Sequence, residues 1–461
     1  MAGIGFVLRR LTYQDNLLGL MAGFGYSSLV ATGPWIFTIV ALSSSVAMLS
    51  LFSKPEELIV FQSIIIYNFS FSLVLTGPLT LVITRYVADM IYRKDVRGVP
   101  GTLLGGMLLL NGTHFPVVFY FYMVHIDASL TLRIFGVINY TIIANIWLAS
   151  VFITALKAYQ LVIRTFFLGM SLGIICNVLL SLQFGVAGML FGFNIGLAVI
   201  LFAMIARIFA EYPYNLHDLF GFIGYFRTYW DLALCGLTIN AAAWIDKWVM
   251  WWSPYQVRIA DGFISCPLYD SAMFVAYLSI IPSLATFLMS METEFYEQYL
   301  NFYRNLSRHV SLKVLLDAHR DMVRSLHVSG RNYLVFQGSI SLTIILLAPN
   351  LFAWNGMDFS TIGIFRLGVL GAFFHIMVQF LVIVLSYYDF RKMVLIVSVV
   401  FLVTNGWCSW FFLDWGFAYY GYGYFIASLI TFAVTYLITF HKVEDLLYQT
   451  FVVSNASVNR E

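Results

Sequence analysis

The sequence predicts an all-α, polytopic membrane protein of about twelve transmembrane helices in two six-helix halves. Three observations predict it. Charged residues are 10% of the 461 positions, and hydrophobic residues are 61%. A soluble domain carries about 25% charge, and a chain this poor in charge cannot coat a soluble surface. Apolar runs of about 20 residues, enough to cross a ~30 Å hydrocarbon core, recur from end to end. The basic residues are distributed unevenly between alternate loops.

The runs fall at 27–51, 58–83, 102–124, 133–156, 165–183, 186–206, 231–253, 272–291, 333–353, 361–386, 393–413 and 417–440. The pair 165–183 and 186–206 is separated by so few residues that it reads either as a hairpin or as one long broken helix. Outside the spans, one set of alternate loops holds only Lys54, Arg133 and Arg258. Lys247 and Arg366 lie within or near spans, and every other lysine and arginine falls on the side of the N-terminus. The positive-inside rule then places both termini in the cytoplasm, and an even span count agrees, since it puts them on the same side. Span count and the link near 210–229 suggest halves at 1–215 and 216–461, although no internal sequence repeat joins them.

Several chemistries are excluded. A net charge of +2 gives no field for nucleic acid. Cys176, Cys235, Cys266 and Cys408 are scattered without a CxxC pair, so neither a disulfide framework nor a metal site is expected. No small-residue cleavage site follows the basic N-terminus, and a cleaved signal peptide is not expected. No phosphate loop, HExxH or DxD arrangement is present, and no cofactor is implied. His114 and His375 fall inside spans, where a histidine is either a hydrogen-bonded packing residue or the base of an intramembrane acyltransferase. These absences favour a conduit over an enzyme.

The second span carries Asn68, Ser72, Thr76, Thr80 and Thr84, each four residues after the last. Four residues turn a helix by about 400°, so the stripe drifts only ~40° per step. It forms either an interhelical hydrogen-bonding seam or one wall of a wet pathway. Gly33-Pro34 and Gly77-Pro78 break neighbouring spans, and Pro116, Pro282 and Pro349 interrupt three others. Proline removes a donor and kinks a helix, so the two Gly-Pro pairs are candidate hinges. Gly188, Gly192 and Gly196 are spaced for close helix packing.

The seventh span contains "NAAAWIDKWVMWW", with Asp246 and Lys247 in an apolar, tryptophan-rich run. Each charge costs roughly 2.5–3.5 kcal/mol at the bilayer centre. Adjacent helix positions point ~100° apart, so the two are not expected to neutralise each other. Each then needs water or a partner on another helix, and Arg366 is a candidate mate for Asp246. Asn240, Trp244, Lys247 and Trp251, at spacings of four, three and four, share one face. That face either lines a wet lumen, with tryptophan packing on the C–H faces of sugars, or forms an aromatic belt beside a snorkelling lysine. The long inner loop, 292–331, is amphipathic: Phe295, Tyr299, Phe302, Leu306 and Val310 recur at helical spacing. It reads as a helix on the inner leaflet or as a docking surface for a cytoplasmic partner.

"MAGIGFVLRRL", "GYSSLVATGPW", "WIDKWVMWW" and "METEFYEQY" together resemble the PelG family of Pel exopolysaccharide exporters, a branch of the multidrug/oligosaccharidyl-lipid/polysaccharide flippase superfamily. The resemblance spans the whole chain and implies two helix bundles around a central cavity. It implies transport of an N-acetylgalactosamine-rich biofilm polysaccharide across the bacterial inner membrane. It also implies three partners: a cytoplasmic glycosyltransferase, an inner-membrane cyclic di-GMP receptor and a helical-repeat membrane subunit. The alternatives are a cation-coupled small-molecule antiporter of the same superfamily, with Asp246 as its carboxylate, and the acyltransferase.

Overall fold

The computed structural model describes residues 17–156, 158–259, 262–291, 295–308, 310–448 and 451, with backbone alone for 17–32, 159, 288–290 and 355. The signature stretches at 1–11 and 292–294, and both chain ends, lie outside the described residues.

The first unit runs from Gly25 to Pro267. Its helices are α1 (Leu17–Leu49) from Gly25 onward, α2 (Pro55–Tyr92), α3 (Val99–Tyr120), α4 (Leu130–Ala155), α5 (Tyr159–Glu211), α6 (Ile223–Thr228), α7 (Trp230–Ala242) and α8 (Ile245–Met250). Local chemistry sets several boundaries. Pro55 opens α2, where its missing N–H is no loss, and Glu56 and Glu57 complement the helix dipole. The Ser129 hydroxyl caps α4 by accepting from the Leu132 amide at 3.4 Å. α5 is a hairpin. At Gly185 the backbone turns to φ 54, ψ −137, and a Cβ at Gly188, Gly192 or Gly196 would overlap the backbone near Leu180, Asn177 or Gly173. The expected glycine stripe is the contact between the two arms.

Among the described residues nine helices are long and apolar enough to cross a membrane, and Gly33–Leu49 is a shorter apolar one. The α5 hairpin contains two of the expected spans within one of these helices. The α7–α8 pair is a further span that its break at Ala243 divides into short helices. With Gly33–Leu49, these features reconcile nine long apolar helices with about twelve crossings.

The six-and-six span count draws a line at 215/216, whereas packing divides the chain at Pro267/Leu268. The reason is α7, which packs along α2 and so joins the first unit. A core of Phe61, Ile64, Leu103, Leu148, Phe152 and Phe193 fills that unit. Across its end, β1 (Val257–Arg258) pairs antiparallel with β2 (Ile264–Ser265).

The second unit holds α9 (Pro267–Leu278), α10 (Ile281–Ser290), α11 (Tyr296–Ser307), α12 (Leu312–Asn355), α13 (Ile362–Tyr387), α14 (Arg391–Phe411) and α15 (Tyr420–Glu444). The amphipathic loop forms α11 and the first half of α12. Phe295 and Phe302 are fully buried in a core with Leu315, Met322, Phe380 and Val443. The Tyr299 hydroxyl donates to the Tyr387 carbonyl at 3.1 Å, and burial pushes the Tyr299 and Tyr303 phenols up. The apolar face of this loop is thus covered by the chain itself, and the helix ends at Ser307, before Val310.

Candidate functional site

The polar stripe of α2 divides in two. Its first half is sealed. Asn68 is buried, and its Nδ2 donates to the Asn139 Oδ1 at 2.8 Å and the Gly136 carbonyl at 3.0 Å. Its Oδ1 accepts from the Tyr122 hydroxyl at 2.8 Å. Asn139 passes the chain on to Asn194 at 2.6 Å. Ser72 accepts from the Trp147 indole at 3.1 Å. Burial of polar groups in an apolar setting requires partners of this kind. Asn68 and Ser72 are therefore bonded into helix contacts.

The second half faces open space. Thr76, Thr80 and Thr84 line a cavity of about 300 Å³ with Trp147, Ser150 and Asn240. The cavity belongs to the first unit alone. Thr80 and Thr84 donate to the carbonyls of Gly77 (2.9 Å) and Thr80 (2.6 Å), which leaves their oxygens able to accept. The Thr76 hydroxyl is buried and has no hydrogen-bond partner among the described residues. Trp147 is held at its indole nitrogen by Ser72, so its ring is a fixed wall.

The second and seventh predicted spans meet here because of one glycine pair. A Cβ at Gly77 would overlap the Gly236 carbonyl, and a Cβ at Gly236 would overlap that of Gly77. The backbones of α2 and α7 touch at this crossing, as small residues permit. Asn240 reaches across one turn later, and its Nδ2 donates to the Leu73 carbonyl at 3.0 Å. That carbonyl lies in the turn where Pro78 deprives Val74 of its helical donor. Pro34 also sits inside a helix, and its carbonyl accepts from Thr38 at 2.8 Å.

The tryptophan-rich run corrects two expectations. It is not one helix: α7 ends at Ala242 and α8 begins at Ile245, with Trp244 at φ −115. Asn240 therefore shares no continuous face with Trp244, Lys247 and Trp251. The second correction concerns the charges. Lys247 Nζ lies 3.2 Å from each carboxylate oxygen of Asp246 and 3.2 Å from the Ala243 carbonyl. It also lies 5.6 Å from the Trp244 ring centre. The helix break places both residues in a short first turn, and the four-carbon lysine stem bends back to its neighbour. Asp246 is fully buried and Lys247 is buried. Trp251 stacks on Tyr67 at 4.7 Å and Trp248 on Phe71 at 5.0 Å. The Tyr67 hydroxyl in turn holds the Ile264 backbone of β2. From Trp244 onward the run packs on the first half of α2 and contributes no residue to the cavity lining, which takes only Asn240 from it. Arg366 lies on α13 of the second unit, and its buried Nε has no hydrogen-bond partner among the described residues.

The two intramembrane histidines sit in aromatic packing. His114 Nδ1 is 3.2 Å from the Tyr140 hydroxyl, and His375 Nδ1 is 2.8 Å from that of Tyr424. No cluster of three metal-ligating side chains occurs among the described residues. Ring contacts and hydroxyl bonds of this kind give no nucleophile and base poised at a pocket.

The fold is that of a MOP-superfamily transporter. A MOP superfamily transporter from Pyrococcus furiosus matches with a TM-score of 0.61 at 15% identity, over 92% of this chain and 96% of that one. An outward-facing multidrug resistance MATE family transporter matches at 0.63 and 16%, over 92% and 96%. An inward-facing one matches at 0.59 and 15%, over 91% and 99%. Among curated proteins, none matches the chain in sequence. The family is nevertheless specific: residues 1–451 match the PelG exopolysaccharide exporter (EPS-E) family, and the chain belongs to it. It is a multi-pass membrane transporter of exopolysaccharide, not an enzyme.

Proposed function

We propose that this protein moves a nascent, N-acetylgalactosamine-rich exopolysaccharide from the cytoplasm across the bacterial inner membrane, and that the cavity beside α2 and α7 is a point of contact with the polymer. The observation that carries this reading is the lining. Thr76, Thr80, Thr84, Ser150 and Asn240 supply hydroxyl and amide groups opposite the fixed indole of Trp147. Sugars present C–H faces to aromatic rings and hydroxyls to polar side chains, and both kinds of partner are here. The volume of about 300 Å³ is at the lower end for small-ligand sites. It suits a stretch of polymer passing by better than a large enclosed substrate.

The distribution of basic residues supports cytoplasmic termini. The family resemblance supports work within a synthase-dependent complex with a glycosyltransferase, a cyclic di-GMP receptor and a helical-repeat membrane subunit. A growing polymer is hard to reconcile with strict closure at each end, which favours a channel or ratchet over full alternating access. The Gly77-Pro78 and Gly33-Pro34 segments remain the places where such a motion bends the helices. The antiporter reading draws no support from Asp246, whose charge Lys247 already balances.

The test is accessibility. Single cysteines at positions 80, 84 and 240, in a cysteine-free background, are exposed to a membrane-impermeant thiol reagent in intact cells. Labelling that falls during polymer secretion supports the cavity as the path. Labelling that is unchanged by secretion, or equal to that at position 68, removes it.

A further inference from the structure

α12 is far longer than a membrane requires. Its 44 residues extend ~66 Å at 1.5 Å per residue, against a hydrocarbon core of ~30 Å. Its apolar part, 333–353, fills one membrane thickness, and the part before Arg331 projects beyond it. One face runs through both parts. Val328, Val335, Leu342 and Leu346 are exposed on it at 37%, 58%, 62% and 73%. Spacings of seven, seven and four keep them on one side of the helix. The same face carries Arg331 between Val328 and Val335 and Arg324 beyond Val328, with His327 beside them.

At that projecting end lies a second cavity of about 350 Å³, lined by His319, Arg320, Arg324, His327 and Glu444 together with valines of α12. His319 closes it by bonding the Val443 carbonyl of α15 at 3.1 Å, which brings Glu444 alongside. Arg320 is paired with Asp317 at 3.6 Å. Among the described residues Arg324, His327 and Arg331 hold no ion pair or hydrogen bond. His327 and Arg324 stand about one and two turns, ~6 and ~11 Å, beyond Arg331. The headgroup layer is ~5–8 Å deep on each side, and arginine stems bend back toward it.

We propose that this groove is a binding site for the phosphate of an anionic phospholipid. The acyl chains lie along Val335, Leu342 and Leu346, and Arg331, Arg324 and His327 hold the headgroup. The continuity of the apolar face with the basic one selects a lipid over a soluble phosphate, which has no use for the lower half of the stripe. Glu444 is the opposing charge in the groove and weakens the site.

The experiment is native mass spectrometry of the purified full chain, titrated with phosphatidylglycerol or with phosphatidylcholine of the same acyl chains. The intact protein is expected to retain phosphatidylglycerol at a concentration at least tenfold lower than phosphatidylcholine. Arg324→Gln/His327→Gln/Arg331→Gln is expected to lose that preference while its melting curve in lipid-free detergent is unchanged. Should that triple variant not fold, Glu444→Gln serves instead, with tighter phosphatidylglycerol retention expected by several-fold. Equal retention of the two lipids by the intact protein, an undiminished preference in the triple variant, or unchanged retention in Glu444→Gln overturns the site. Displacement of phosphatidylglycerol by inorganic phosphate reassigns the groove to a soluble anion. Displacement by an oligoglutamate peptide reassigns it to an acidic protein segment. Either result overturns the lipid assignment.

Discussion

The protein carries two threonine stripes of the same period. On α2, Thr76, Thr80 and Thr84 follow one another every four residues; on α15, Thr431, Thr435 and Thr439 do the same. On both helices hydroxyls bond back to their own backbone: Thr435 to the Thr431 carbonyl at 2.6 Å, Thr84 to that of Thr80 at 2.6 Å. Yet the α15 stripe is wholly buried, within a unit where α13 and α14 pack on α15, while the α2 stripe opens on a cavity. The neighbour makes the difference. At α2 two glycines bring α7 into backbone contact, and the cavity lies where Gly236, Ile239 and Asn240 of α7 face Trp147 and Ser150 of α4 beside the stripe. Periodic hydroxyls mark a face that can tolerate polarity; they do not say whether water or another helix meets it.

The largest expected effect comes from the anchor of that neighbour. Asp246→Asn leaves Lys247 buried without its paired carboxylate, and a loss of about 3–5 kcal/mol is expected, read as a lowered melting temperature in detergent. Asp246→Asn/Lys247→Met, which removes both charges, is expected to recover most of it. Failure to recover would show that the pair does more than balance charge.

Next comes the crossing itself. Gly77→Val forces α2 and α7 apart, with about 1–3 kcal/mol of overpacking cost and loss of polymer export. Preserved export would mean that the contact is not what shapes the cavity.

A smaller change sharpens the comparison directly. Thr80→Val keeps the shape and removes a hydroxyl from the cavity wall, so export is expected to fall several-fold with the melting temperature unchanged. Thr435→Val is the matched control: a shift of at most about 1 kcal/mol, the net worth of one hydrogen bond, and no change in export. Equal export by the two variants would erase the distinction between the stripes.

Much was legible in the chain itself. Low charge and repeated apolar runs determined a membrane-spanning helical protein, and the stretches quoted above carried the family. The period of four put Thr76, Thr80 and Thr84 on one side of α2, where they line a cavity, and the glycine stripe picked out the α5 contact, because helical geometry converts spacing into direction. The sequence also brought Asn240 into question, by its place in a tryptophan-rich span. It gave no sign that Gly236 and Gly77 would meet, since a crossing depends on two helices at once. It misread Asp246 and Lys247 because the ~100° rule holds only inside a continuous helix, and Ala243–Trp244 interrupts this one. What the sequence determined by itself were the properties of single helices: length, polarity and which face is polar. Which polar face is sealed and which is open was decided only by packing, because a cavity belongs to the space between elements and no one segment encodes it.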